Sequence, residues 1–309
     1  MSVTAARPRL STPVLAFGLC LVWSTAFIFV ELALRDATAA QFAALRSVAA
    51  VPALAVGLLV RDAAGLRTAL RSSRTHLLGV LLGAVNVAGF VGLQTAGFER
   101  SGIGFGAVLI YAQPLMVAVL ARLFLAERLR PRQLLGLLTG WVGVALVVLG
   151  EASGAGATTG VWQAVPLFLG AAACFAVGTV VVKAVTTGPD ATPLGPPLLL
   201  AFCYGSVPLV VLGLLDGTPV DWTASLWTSV AYTGALSLAG GYLLQFALLE
   251  RGEAGVVSSW IFAVPVLAAI YGVLLFDEPV SAGLVAGVVA VAAGILLVTV
   301  PPRTLPPPV

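Results

Sequence analysis

The chain has 309 residues, 60% of them hydrophobic and 9% charged, with a formal net charge of +3 and a mean hydropathy of +1.06. A soluble domain carries roughly 25% charged residues, so this composition excludes a chain that faces water on all sides and places it in lipid. The three cysteines, Cys20, Cys174 and Cys203, stand singly inside apolar runs, without the spacing of a zinc site or a disulfide framework.

Residues 1–13, with Arg7 and Arg9, form a short N-terminal segment ahead of an apolar run from Val14 to Leu34. That run outlasts the 7–15-residue core of a signal peptide and predicts a retained first helix. Nine further runs follow, at about 40–60, 77–97, 103–125, 133–150, 162–183, 196–215, 225–249, 254–276 and 282–300. Each approaches the ~20 apolar residues that cross a bilayer as a helix, and none shows the dyad alternation of a barrel strand. Their glycine and alanine content predicts close helix packing, with small-xxx-small spacings at Gly136–Gly140 and Gly283–Gly287. Such spacings serve a homodimer contact or a contact within one chain equally well. Residues 151–161 read as a short linker and 301–309 as a proline-rich tail.

Basic residues orient the spans. With the N-terminus cytoplasmic, the inside segments hold Arg7, Arg9, Arg61, Arg67, Arg71, Arg74, Arg128, Arg130, Arg132, Lys183, Arg251 and Arg303, whereas the outside segments hold Arg35 and Arg100. The positive-inside rule then predicts both termini in the cytoplasm.

The chain also repeats itself. Gln94, Glu99-Arg100, Gly104, Pro114, Glu127, Gly136 and Gly143 recur as Gln245, Glu250-Arg251, Gly255, Pro265, Glu278, Gly287 and Gly294, every pair 151 positions apart. Upstream, Gly83 and Gly89 meet Gly234 and Gly240 at the same offset. A repeat of half a chain containing five spans, an odd number, puts the second copy (162–300) upside down relative to the first (14–150). The predicted fold class is therefore an all-α integral membrane protein of ten transmembrane helices in two inverted five-helix repeats.

These residues carry a family resemblance. Phe98-Glu99-Arg100-Ser101, Gln113-Pro114 and Leu125-Ala126-Glu127-Arg128-Leu129, with Leu249-Glu250-Arg251-Gly252, Val264-Pro265 and Phe276-Asp277-Glu278-Pro279 in the second copy, resemble the EamA-type halves of the drug/metabolite transporter superfamily. Val22-Trp23-Ser24-Thr25-Ala26-Phe27 and Ala44-Leu45-Arg46 resemble that family's first and second helices, while Glu31 departs from its pattern. The resemblance implies a ten-helix transporter with a central cavity between its halves, mostly exporting small metabolites or drugs.

Ionisable groups inside spans are costly and face a cavity or a partner. Arg46 and Glu31 sit at depths about 5 Å apart: they pair with each other and lock the first hairpin, or Glu31 pairs with Arg35 one turn on, or Arg46 faces an anionic substrate group such as a carboxylate while Glu31 titrates as a proton-coupling group. Trp23, Asn86, Gln94, Tyr111, Tyr242, Gln245 and Trp260, together with Arg46, are the candidate substrate-binding residues, an aromatic wall with a few oriented polar groups. Asn86 and Gln94 lie eight apart, roughly 80° around an α-helix, and so share one broad face. Pro114 and Pro265 are equivalent helix interruptions, the sequence pointer to a central site and candidate gating positions. Glu127 and Glu278 each precede a fresh helix and predict N-terminal caps for it, or a gating ion pair.

The reading is a secondary transporter of the plasma (inner) membrane, exporting a small amphipathic organic solute such as an amino acid, a related metabolite or a drug, by alternating access. Import of a nutrient is the nearest alternative. A membrane-embedded enzyme on lipid-linked substrates would need clusters of His, Asp, Glu or Cys that the sequence does not offer, so no catalytic residue is assigned. No P-loop, cofactor motif or metal spacing is present, and the expected partners are a small-molecule substrate and the bilayer, not nucleic acid.

Overall fold

A chain in hydrocarbon must satisfy its backbone internally, so apolar runs become helices and the ends of those helices become the places where polar chemistry collects. In the computed structural model the described residues are 11–101, 109–152, 161–187, 191–276, 280 and 282–300. The N-terminal segment, most of the linker, Gly104, Glu278 and the C-terminal tail lie outside them.

Ten helices follow one another among the described residues: α1 (Thr12–Ala33), α2 (Ala39–Ala69), α3 (Ser73–Arg100), α4 (Gln113–Phe124), α5 (Pro131–Ala152), α6 (Val161–Thr186), α7 (Gly195–Leu215), α8 (Ala224–Leu249), α9 (254–276) and α10 (Ala282–Thr299). Seven stretches among them are long and apolar enough to cross a bilayer. Local chemistry sets the ends. Thr38 starts α2 with a reciprocal capping box to Gln41, Thr223 caps α8 through the Leu226 amide, and prolines occupy the first turn of α1, α4 and α7.

α2 is longer than the predicted 40–60 because it turns rather than stops. The backbone leaves helical geometry at Asp62, whose carboxylate accepts from the Gly65 amide at 2.8 Å and so caps the turn that follows. A Cβ on Gly65 would lie 2.0 Å from the Asp62 carboxylate, so a larger residue there would have to displace that carboxylate.

The two halves interleave. α5 packs on α10, α2 on α7, and α4 on α9; α2 meets α8 as α7 meets α3, and α1 meets α9 as α6 meets α4. Each of these cross-half contacts has its mate when the halves are exchanged, as a two-fold relation between inverted repeats requires. Glycines make the approaches. A Cβ on Gly83 would sit 2.7 Å from the Ala201 carbonyl, and one on its repeat mate Gly234 would sit 2.7 Å from the Arg46 carbonyl. At the α5–α10 seam the Gly136 position lies 2.7 Å from the Gly294 carbonyl, and the Gly143 position 2.8 Å from the Val291 amide. Gly136, Gly140, Gly143, Gly287 and Gly294 therefore serve a contact within the chain.

The bundle has two polar faces. At one, the Thr38 face, Asp36 accepts from the Asp221 amide (2.9 Å) and the Thr223 hydroxyl (2.6 Å), and Glu99 accepts from the Ala39 amide at 3.0 Å. At the other, the Glu127 face, the Lys183 ammonium donates to the Leu249 carbonyl at the end of α8 (2.8 Å) and Arg132 donates to the Val300 carbonyl (2.7 Å).

The Glu127 face departs from the sequence expectation. Glu127 does not cap α5, where Gln133 accepts from the Arg130 amide instead; it crosses to the other half and caps α9, accepting from the Ala254 amide (2.9 Å) and the Gly255 amide (3.4 Å). The backbone arranges this by placing Ala126 at φ 54°, so that the chain doubles back and the Glu127 amide reaches the Ala121 carbonyl at 3.3 Å. A left-handed alanine costs about 1 kcal/mol that glycine does not. Ala126→Gly should therefore raise the thermal midpoint in detergent slightly, by up to about 1 kcal/mol of stability; a lower midpoint would mean that the turn is not strained.

Candidate functional site

Four helices are interrupted, in two equivalent pairs. α3 widens into π-helical turns over Gly83–Val91, and α8 does so over Tyr232–Gly240. α4 begins only after a turn at Tyr111–Ala112, just before Pro114, and α9 passes through a 3₁₀ turn at Trp260–Phe262, just before Pro265. Under the offset of 151 the first break maps to 262–263, so the two breaks overlap at one position and each shortly precedes the proline of its own half. Such interruptions free carbonyls, which must then find donors.

The donors come from side chains on neighbouring helices. The Trp23 indole N–H donates to the Ser237 carbonyl at 3.1 Å, and the Tyr242 hydroxyl to the Asn86 carbonyl at 3.2 Å. Asn86 and Ser237 are repeat mates, so each π-helical stretch has the same carbonyl capped by an aromatic donor. The Cys20 thiol donates to the Trp260 carbonyl at 3.2 Å, inside the 3₁₀ turn.

Between these helices lies a cavity of about 60 Å³, counted as the space open to the centre of a water molecule. From α1 it takes Trp23, Ala26, Phe27 and Val30; from α3, Phe90, Gln94 and Phe98. Ile110, Tyr111 and Gln113 come from the start of α4, Ser237, Leu238 and Tyr242 from α8, and Arg46 from α2. Aromatic rings wall it in two groups, Phe27 edge-on to Phe98 (5.8 Å between centroids) and Trp23 edge-on to Tyr242 (6.3 Å). Val30 and Phe98 place the cavity in the half of the bundle nearer the Thr38 face. Toward the Glu127 face lie, in succession, the Trp23 and Tyr242 hydrogen bonds, the Gln245–Thr179 bond (3.2 Å) and the Glu127 cap on α9.

Of the candidate residues, Trp23, Arg46, Gln94, Tyr111 and Tyr242 come together in this cavity. Asn86, Gln245 and Trp260 do not line it. The Asn86 side chain points at α6, where a Cβ on Gly178 would meet its oxygen at 1.8 Å. Its separation from Gln94 is one of depth: Asn86 lies eight residues, roughly 10 Å along the axis, toward the start of α3, beyond Phe90 where the lining contributed by this helix ends. Gln245 is held by Thr179, and Trp260 contributes its carbonyl to Cys20. The sequence reading missed Phe27, Phe90 and Phe98 as wall residues, since isolated phenylalanines in apolar helices give no signal distinct from core packing.

Glu31 lies elsewhere. Its side chain is 62% exposed and accepts from Arg35 at 3.2 Å, one turn on. Arg46 is 4% exposed and reaches no carboxylate among the described residues. Its NH2 group donates to the Val91 carbonyl (3.3 Å), the Gln94 amide oxygen (3.5 Å) and the Thr95 hydroxyl, its plane lies 5.2 Å from the Phe42 ring centre, and its Nε has no partner. In the interleaved packing Ala201 occupies against Gly83 the place that Arg46 occupies against Gly234, so the second half has no such charge.

Inverted five-helix halves, helices broken at matching positions and a cavity between them define the architecture of a membrane transporter. The EamA-like transporter family matches residues 10–149 and 162–300, and the chain belongs to it. Among similar proteins is the uncharacterized transporter YvbV of Bacillus subtilis (strain 168), 29% identical over 294 residues, covering 94% of this chain and 92% of that one. The uncharacterized transporter YoaV of the same organism is 23% identical over 90% of this chain and 93% of its own. One crystal structure superposes with a TM-score of 0.77 over 93% of this chain and 96% of the other at 18% identity, a likeness of fold.

Proposed function

We propose that the protein is a secondary transporter that exports a small amphipathic organic solute across the plasma membrane by rocking its two halves about the Arg46 cavity. The observation that carries this reading is the cavity's position: it lies where both halves meet, among helices interrupted at equivalent places, and it is closed on one face only by contacts that a rocking motion would exchange. With the positive-inside rule, the Glu127 face, which bears Arg128, Arg130, Arg132 and Arg251, is cytoplasmic, as are both termini. On that orientation the contacts between the halves at the Glu127 face lie on the cytoplasmic side of the cavity.

The test is flux of a labelled metabolite panel in proteoliposomes and everted vesicles, with and without an imposed pH gradient. Movement of one solute class toward the side that corresponds to the cell exterior is the expected result; a folded protein that moves nothing, or moves solute only inward, would overturn the proposal. Glu31 has no place in the mechanism. Its exposure and its pairing with Arg35 lead us to expect that Glu31→Gln keeps the transport rate within about twofold, as an exposed ion pair contributes little. A rate that loses its dependence on the pH gradient in this variant would restore Glu31 as a coupling group.

A further inference from the structure

The charge balance of the cavity selects among amphipathic solutes, and this inference rests on the transport reading above. Arg46 is the one formally charged side chain among those that line the space. It is 4% exposed, its Nε is unpartnered, and its three acceptors, from Val91, Gln94 and Thr95, are all neutral. A buried cation satisfied only by neutral dipoles and a ring face has paid for leaving water without gaining a counter-ion. A guanidinium with one free edge is also the geometry that takes a carboxylate through parallel N–H donors.

We propose that the solute is a monoanionic carboxylate with an apolar or aromatic body, and that the cavity discriminates against the corresponding amino acids, amines and amides. A single negative charge leaves the cavity neutral. A zwitterion leaves it with net charge +1, because no lining residue offers a carboxylate to its ammonium; an amine brings the charge to +2. The aromatic wall of Phe27, Phe90, Phe98 and Tyr111 suits the apolar body. Gln113, whose amide oxygen is buried without a partner, leaves one acceptor for a neutral donor on the solute, such as a hydroxyl.

Four compounds of matched shape test this on the purified, reconstituted full-length chain: 3-phenylpropanoate, its amide, phenylalanine and phenethylamine. Binding is read from protein fluorescence and from ligand-induced shifts in thermal midpoint, and flux is measured in the same proteoliposomes. The carboxylate should bind and move at least about tenfold better than each of the other three, one tenfold step being the least that an unpaired buried charge implies. Arg46→Gln should abolish that preference, with Arg46→Lys recovering part of it. Equal or better handling of phenylalanine, the amine or the amide by the wild-type chain would overturn the charge assignment while leaving the transporter reading in place, and this comparison needs no variant to fold. If none of the four binds or moves and a broader panel of carboxylates also fails, the substrate class is wrong; if solutes of every charge class fail, the transport reading falls with it.

Discussion

Replacing Glu127 by glutamine should loosen the Glu127 face and shift the protein toward the state that opens there. The carboxylate makes two charge-assisted bonds to the first amides of α9, and it does so from the other half of the chain. Hydrogen bonds to a charged group contribute about 1.5–3 kcal/mol, and Glu127 is half-buried, so screening argues for the lower part of that range. A shift of about 1.5 kcal/mol moves a two-state equilibrium by roughly tenfold. Glu253, which precedes α9, makes no side-chain cap of its own, so nothing local replaces the lost acceptor. Amide hydrogen exchange over residues 253–257 should accelerate by about that factor in Glu127→Gln, with the α2 start at Thr38 unchanged. Unaltered exchange would mean that the cap is incidental to closure.

The second large effect is expected at the α5–α10 seam. A Cβ on Gly294 would lie 2.6 Å from the Gly136 carbonyl, 2.7 Å from the Gly140 amide nitrogen and 2.8 Å from its Cα. All three neighbours are backbone, so no rotamer change relieves the clash and the helices must separate. Gly294→Val should cost about 3 kcal/mol or more, the upper range for overpacking, and abolish a monodisperse, cooperatively unfolding species in detergent. Gly18→Ala serves as the control, since nothing lies within 4 Å of its Cβ position, and it should leave the thermal midpoint essentially unchanged. A Gly294→Val protein as stable as the parent would show that the seam is looser than described.

Much of this was legible in the residues. Hydrophobic run length requires ten helices, because lipid leaves a spanning backbone no alternative; the offset of 151 with five spans per half dictates inversion; and basic-residue placement predicts the sidedness. Arg46 was conspicuous because a cation inside a span is expensive, and Pro114 and Pro265 because a missing amide must break a helix at a known place. Tertiary structure alone decided the rest. Glu127 meets α9 rather than α5 because a left-handed Ala126 re-aims the chain, and no local signal marks an alanine for that conformation. Asn86 lies too far along α3 to reach the cavity and meets α6 instead, while Phe27 and Phe98 meet edge to edge at its wall because the packing of α1 on α8 and α9 sets which face of α1 looks into the space. The period and cost of a residue are local properties that the sequence carries; which partner satisfies a helix end or a free carbonyl depends on what the fold brings within 3 Å of it.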